Sequence, residues 1–383
     1  MIGGARPPSP LGPPARRCPR LRPGRPDPQG RARRVTRTAS GAEGPAPNTA
    51  APLVSVLLPA RDAQATLGEA LASVARQTET RWECVVVDDA SPDATGAIAA
   101  GFGERDSRVR VVAGGGEGLV AALQLGLGHC RAPLIARMDA DDWRDPERLA
   151  AQIRALDDAP GLAGVGCHVR SLPQPGEDSG RADYIRWLSS IRAPEDVRRE
   201  AFVECPIAHP TWLLRSEVLR EHPYRAGDFP EDYDLLLRVL ASGGELGVVP
   251  RPLLAWRDSP GRLSRTHPAY REDAFTTCKA MHLATGCLAN DERYVLWGYG
   301  ATGRRLRRAL GDRGRWPSHI VELHPGRLGQ RIHGAPVIAP EALQGLRGAR
   351  VVTSVAGARA RGEIRAALNA MGFHELHDFV CAA

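Results

Sequence analysis

Three carboxylates, Asp139, Asp141 and Asp142, stand within four positions, directly after the apolar run from Leu134 to Met138. Clustered acids repel one another and are costly to hold together unless a cation neutralises them. A hard divalent ion such as Mg²⁺ or Mn²⁺ prefers oxygen ligands and often bridges protein carboxylates to phosphates. The run is therefore a candidate metal–nucleotide site. The bland alternative is an acidic loop capping the next helix, with Asp145-Pro146-Glu147 as its first turn, and an isolated motif of this kind leaves both open. A second acidic pair, Asp88-Asp89, follows the apolar run from Trp82 to Val87. A third, Glu231-Asp232, follows Pro230 and opens a segment whose Tyr233, Leu236, Leu237 and Leu240 mark one helix face. Acids in a first turn favour the helix dipole and can still point into a cleft, so the two readings of Glu231-Asp232 are compatible.

These acids need elements to carry them. Leu53 to Leu58 is a β-branched, apolar strand ended by Pro59. Thr66-Leu67-Gly68-Glu69 has capping-box spacing, and Leu67, Ala70, Leu71 and Val74 give the face of the helix that follows. Trp82 to Val87, Val109 to Val112 and Leu134 to Met138 are further strands. Ser91-Pro92 supplies an N-cap and first-turn proline, and Leu119 to Leu127 a helix. This β-α-β-α order predicts an α/β fold, a mostly parallel sheet with helices on both faces. Ligands of such sheets bind at the carboxyl ends of the strands, where Asp88/Asp89 and Asp139/Asp141/Asp142 both fall. Gly114-Gly115-Gly116 suggests a flexible loop near the ligand, and residues 171–183 a surface loop able to close over it.

Ser55-Val56-Leu57-Leu58-Pro59, Ala75-Arg76-Gln77-Thr78, Val87-Asp88-Asp89-Ala90-Ser91 and Ala136-Arg137-Met138-Asp139-Ala140-Asp141-Asp142 resemble the successive motifs of family 2 glycosyltransferases. The likeness continues through Ala208-His209-Pro210-Thr211, Pro230-Glu231-Asp232-Tyr233-Asp234-Leu235, Trp256-Arg257 and Leu263-Ser264-Arg265. It implies the GT-A fold, a mixed sheet that binds a nucleotide sugar, and inverting, metal-dependent transfer to a hydroxyl acceptor in surface polysaccharide or glycolipid synthesis. By that resemblance Asp89 would bind the nucleobase, with Pro59 and Arg61 lining its pocket. Asp139 would hold the ribose or assist the metal, and Asp141 would bind an Mn²⁺ or Mg²⁺ ion bridging the diphosphate. Asp232 would be the general base, with Glu231 orienting it or taking its place. Many relatives carry an aromatic residue and an asparagine where this chain has Arg61-Asp62, which leaves the nucleotide open. His209 is read as an acceptor contact or as a core histidine, and Arg257 and Arg265 as diphosphate contacts or as solvated charges.

Towards the C-terminal end, the strand Tyr294 to Trp297 runs into Gly298-Tyr299-Gly300-Ala301-Thr302-Gly303 and a helix with Leu306 and Leu310, and Glu322 ends the next strand. Gly298, Gly300, Gly303 and Glu322 fit a Rossmann-type dinucleotide fingerprint. Strands at Val337-Ile338 and Val351-Val352 and helices from Pro340 and about Gly362 complete a small Rossmann-like domain. Gly329 to Val337 resembles small Rossmann-like modules attached to sugar-modifying enzymes. The preferred reading is that these glycines serve a tight turn and close helix–strand packing with nothing bound; an NAD-like dinucleotide is the alternative.

The expected layout is a Pro/Arg-rich disordered tail over 1–50, a GT-A domain over 51–285 and the Rossmann-like domain over 291–383. The net charge of +7 sits in the tail, which carries about +8, so the remainder is near −1 and suggests no nucleic-acid partner. No methionine separates Met1 from Met138, so a mis-assigned start is expected, with lipid contact by the tail as the runner-up. Eight cysteines without metal spacing suggest a reducing, cytoplasmic setting. No transmembrane stretch is visible, so a lipid-linked acceptor would be approached peripherally, at the inner membrane face. Two rival readings are a non-catalytic nucleotide- or dinucleotide-binding scaffold and a sugar nucleotidylyltransferase. The segment from Pro59 to Ala65 lacks the glycine- and lysine-bearing phosphate loop that the second would need.

Overall fold

The computed structural model describes residues 51–172, 179–258 and 261–383, within the compact unit Thr49–Ala383. The elements begin β1 (Val54–Ala60), α1 (Leu67–Ala75), β2 (Trp82–Asp88), α2 (Thr95–Arg105), β3 (Val109–Ala113), α3 (Leu119–His129) and β4 (Leu134–Arg137). There follow β5 (Trp143–Arg144), α4 (Arg148–Asp158), β6 (Leu162–Leu172), α5 (Ser179–Ser190), α6 (Pro194–Glu200), β7 (Leu213–Arg215) and α7 (Ser216–Glu221). Then come α8 (Glu231–Ala241), β8 (Glu245–Arg257), α9 (Leu263–Thr266) and α10 (Glu272–Thr285).

Among the described residues, β1 to β8 form one mixed sheet in the order β3-β2-β1-β4-β7-β6-β8-β5. The half β3-β2-β1-β4 is parallel, β7 runs antiparallel to β4 and β6, and β5 antiparallel to β8. Strand β1 is buried along its whole length because both faces are covered, which its β-branched, apolar sequence suits. Val54, Val56 and Leu58 pack with Leu67, Leu71 and Val74 of α1, while Leu57 points the other way onto Leu123 of α3. Ser55, the polar residue of that run, donates to Glu83 at 2.6 Å and accepts from the backbone of Arg131 and Ala132. The expected face of α1, Leu67, Ala70, Leu71 and Val74, is fully buried.

Several local expectations differ. Thr66 does precede α1, but no capping box forms; Glu69 reaches instead to Arg257, at 2.6 Å. Ser91 is not the N-cap of α2, which starts at Thr95; its hydroxyl accepts from Asp62 N–H. The run at 171–183 is not one loop, since β6 continues to Leu172 and α5 begins at Ser179; residues 173–178 lie outside the described residues, as do 1–50.

A second sheet follows, built from β9 (Arg293–Trp297), α11 (Ala301–Gly311), β10 (Trp316–Val321), β11 (Arg331–Ile332), β12 (Ala335–Ile338), β13 (Val351–Thr353), α12 (Ala358–Ala370) and β14 (Phe379–Cys381). Its order among the described residues is β11-β12-β10-β9-β13-β14, parallel except for the short β11. Residues Pro340–Leu346, expected as a helix, form a 3₁₀ segment. Cys84, Cys167, Cys205, Cys278 and Cys381 are free and buried, and burial pushes the Cys84 thiol up to about 12. No helix among the described residues is long and apolar enough to cross a membrane.

Candidate active site

The parallel half of the first sheet sets the site. Strand β1 lies between β2 and β4, with Ala60 opposite Asp88 and Leu57 opposite Arg137, so the chain after β2 and after β4 emerges at one carboxyl edge. Asp89 N–H donates to Ala60 and Met138 N–H to Leu57, which continues both ladders into the acidic segments.

At the β2 end, Asp89 is buried and its two carboxylate oxygens accept from Gly116 N–H at 2.8 Å and Gly118 N–H at 2.9 Å. The glycine loop, expected to be flexible, is thus pinned. Gly116 and Gly118 have φ of +76° and +92°, a conformation that favours glycine. Arg61 stands beside Asp89 at 3.5 Å and donates to Gly116 O. Pro59 is buried at the end of β1. Each oxygen of Asp89 keeps a further lone pair for a ligand.

At the β4 end, carboxylate oxygens of Asp139, Asp141 and Asp142 lie within 4.8 Å of one another. Burial, then Asp139, raises the pKa of Asp141; burial, then Asp139 and Asp141, holds Asp142 well above the usual carboxylate range. Asp142, only 1% exposed, accepts from Arg257 N–H through Oδ1, while Oδ2 is buried without a partner among the described residues. An all-oxygen donor set with mutual repulsion and an orphaned buried oxygen suits a hard divalent cation. Arg257, read as a diphosphate contact or a solvated charge, braces this loop: its Nε donates to Asp141 O at 2.9 Å and its Nη2 to Glu69. Arg265 is spent on Asp258. Arg262 lowers the pKa of Asp141 and Asp142 by its charge, and its guanidinium lies over Trp256.

Arg137, buried at the end of β4, pairs with Asp139. Burial opposes its charge, but Asp139, Tyr224 and Glu231 together outweigh that and keep its pKa above the usual value. The same guanidinium acts on Glu231 and Asp232, so the third acidic pair belongs to this electrostatic neighbourhood. Pro230 precedes α8 in extended conformation, and Glu231 and Asp232 form its first turn. Glu231 is 4% exposed, accepts from Tyr270 Oη at 2.5 Å through Oε2, and has His209 Nδ1 3.6 Å from Oε1. Burial pulls His209 well below the usual histidine range, so it is neutral and its contact with Glu231 is no ion pair; its Nε2 shares a hydrogen bond with Tyr224 Oη at 2.7 Å. Asp232 is half-buried, and burial, then Glu231, pushes its pKa up to about 7.

The structure therefore gathers Asp139, Asp141, Glu231, Asp232 and His209 around Arg137, and places Asp89 with Pro59 and Arg61 along the same edge. Asp142, the last acid of the run, joins Asp139 and Asp141 there. The structure adds Arg262, Tyr224 and Tyr270, none singled out by spacing.

Residues 55–222 match the family model described as Glycosyl transferase family 2. The chain is 35% identical over 229 residues to the uncharacterized glycosyltransferase EpsJ of Bacillus subtilis, covering 56% of this chain and 63% of that protein. It is 30% identical over 229 residues to the succinoglycan biosynthesis protein ExoO of Rhizobium meliloti, covering 56% and 63%. It is also 30% identical over 231 residues to the O-antigen biosynthesis protein RfbC of Myxococcus xanthus, covering 59% of this chain and 17% of that protein. The chain thus spans less than two thirds of the length of these relatives. In fold it is similar to residues 1–349 of S. aureus TarS in complex with UDP-GlcNAc, with a TM-score of 0.51 at 18% identity over 67% of this chain and 71% of that one.

Proposed function

The chain carries a glycosyl transferase family 2 domain, and from that premise we propose that it moves a sugar from a nucleoside-diphosphate sugar to a hydroxyl acceptor, with inversion. The observation that carries this reading is Asp232, a half-buried carboxylate with its pKa pushed up to about 7, beside Arg137 and the acids after β4. A general base works best when its pKa lies near the working pH.

Asp141, with Asp139 and Asp142, would hold a divalent cation, Mn²⁺ or Mg²⁺. Such an ion supplies Lewis-acid stabilisation of the leaving diphosphate when bound. Asp89, Pro59 and Arg61 would take the nucleoside. Asp232 accepts the proton of the acceptor hydroxyl as that oxygen attacks the anomeric carbon opposite the leaving group. The new C–O bond forms as the old one breaks, and the electron pair leaves on the nucleoside diphosphate. Glu231, nearly buried and fixed by Tyr270, keeps Asp232 protonatable and orients it rather than replacing it. His209, neutral and bonded to Tyr224, supports Glu231 and is a poor acceptor contact. The relatives named for O-antigen and succinoglycan synthesis favour a growing surface polysaccharide or its lipid-linked precursor as acceptor, met from the membrane surface.

The test is a donor panel measuring UDP, GDP and TDP release with Mn²⁺. Turnover with one donor class, lost in Asp141→Asn and Asp232→Asn, is expected. Full turnover in Asp232→Asn would remove the base from this scheme.

A further inference from the structure

The carboxyl edge of the second sheet opens on a cleft of about 800 Å³ that the proposed transfer does not use. It is lined from the ends of β9, β10, β12 and β13 and from one face of α12. Strand β9 is central: β10 and β12 follow on one side of it, β13 and β14 on the other. The chain reverses direction there, and open α/β sheets place ligands at such a point. The volume lies within the roughly 300–1,000 Å³ of small-molecule sites.

The glycines that line or border the cleft differ in what they do. Gly298 has φ of +95°, and a Cβ on Gly303 would stand 2.1 Å from Gly298 O, so these two serve the turn and the close approach of α11 to β9. Gly300 serves neither. Its φ is −72°, and a Cβ there would meet nothing within 4 Å. It leaves bare backbone at the cleft wall, next to the first turn of α11. Opposite stands Glu322, whose side chain is only 15% exposed. Its Oε1 accepts from Tyr299 N–H and from Arg327, both at 3.0 Å, while Oε2 has no partner among the described residues. A fixed carboxylate with one open oxygen suits a vicinal diol. The remaining wall is largely apolar, with Val321, Val355, Ala360 and Ile364.

We propose that this cleft is a second nucleotide site that takes an NAD-class dinucleotide, with a ribose diol on Glu322 Oε2 and the pyrophosphate over Gly300 and the first turn of α11. Charge narrows the class. Glu322, Glu341 and Glu363 all line the cleft, against Arg327, so a free nucleoside diphosphate or a 2′-phosphate is disfavoured.

Isothermal titration calorimetry on the full chain tests this, with EDTA present so that metal-dependent donor binding at Asp139 and Asp141 is silent. NAD⁺ is expected to bind, and NADP⁺ to bind about tenfold or more weaker. Glu322→Ala removes the diol acceptor, and Ala360→Trp fills the cleft from α12. Each is expected to weaken NAD⁺ by about tenfold or more, with thermal melting of the free variants checking that they fold. No heat with NAD⁺, affinity unchanged in both variants, or NADP⁺ and UDP binding as tightly as NAD⁺ would each overturn the assignment. None of these results bears on donor turnover, so the transfer reading stands or falls separately.

Discussion

Asp232 shows how one side chain can cost stability and still be kept. Its pKa moves from an ordinary 3.8 to about 7 in the folded chain, so the native state holds a proton that the unfolded chain releases. Stability from this group is present below about pH 4 and is lost as pH rises to about 7. Asp232→Asn is therefore expected to raise the melting temperature at pH 8 by about 2 °C or more and to leave it nearly unchanged at pH 4, measured by calorimetry. The same substitution should lower kcat by about 10²–10⁴-fold, and the wild-type rate should climb with pH to a plateau above about 7. A rate that is flat from pH 5 to 8 would count against Asp232 as the base. For Asp141→Asn the expected loss is in metal-dependent nucleotide binding as well as turnover, read by a Mn²⁺-dependent thermal shift with nucleoside diphosphates. Asp139 and Asp141 were legible because motif and strand end coincide in sequence, and Glu231 and Asp232 because they open an apolar-faced helix after Pro230. The hydrogen bonds that seat Asp142 and Glu231 were not, since each comes from a residue distant along the chain, Arg257 in one case and Tyr270 in the other.

Two elements late in the first sheet's sequence hold the site from behind. The end of β8 lays Arg257 across the acidic loop, bonding Asp142, the Asp141 carbonyl and Glu69 of α1 at once. Arg257→Ala should then loosen the loop and raise the KM for donor about tenfold, while Arg265→Ala, whose partner is Asp258, should change it little. Equal effects in donor-saturation kinetics would show that Arg257 is no special brace. The turn Pro268–Tyr270 does the same for α8, and Tyr270→Phe should leave Glu231 short of its hydroxyl partner, lowering stability by about 1–3 kcal/mol in urea unfolding. The strands β1, β2 and β4 could be read from apolar, β-branched runs because both faces are covered, whereas the edge strand β3 showed only through its valines, Val109 alone being buried. Strands β5 to β8 could not: β6 pairs with β8 across register shifts, and β5 is two residues long, so neither shows a clean period. The capping box at Thr66 failed for a related reason, since a distant guanidinium competes for Glu69.

Across the molecule, the two sheets share the segment from Glu200 to Glu204. Buried Glu200 accepts from Trp187 of α5 and from Arg365 of α12, with Arg361 of α12 3.5 Å away. Phe202 and Val203 pack into the clusters of the second sheet, and Lys279 Nζ on α10 donates to Val203 O and Ala382 O, both at 2.9 Å. Burial pulls this lysine down to about 8, so ammonium burial is tolerated for the two carbonyls it satisfies. Lys279→Met should destabilise by about 2 kcal/mol or more in urea unfolding, because both acceptors lose their donor. The same segment bears on chemistry, since Ala201 O accepts from Tyr233 Oη, next to Asp232. A consequence follows for how such chains can be rearranged. A fragment ending near residue 285 would strand an acidic side chain without its arginines and bare an aromatic on the flank of the first sheet, so it should precipitate rather than fold as a smaller unit. Grafting another module in its place would demand matching basic and apolar counterparts, which ties the inheritance of the two halves together.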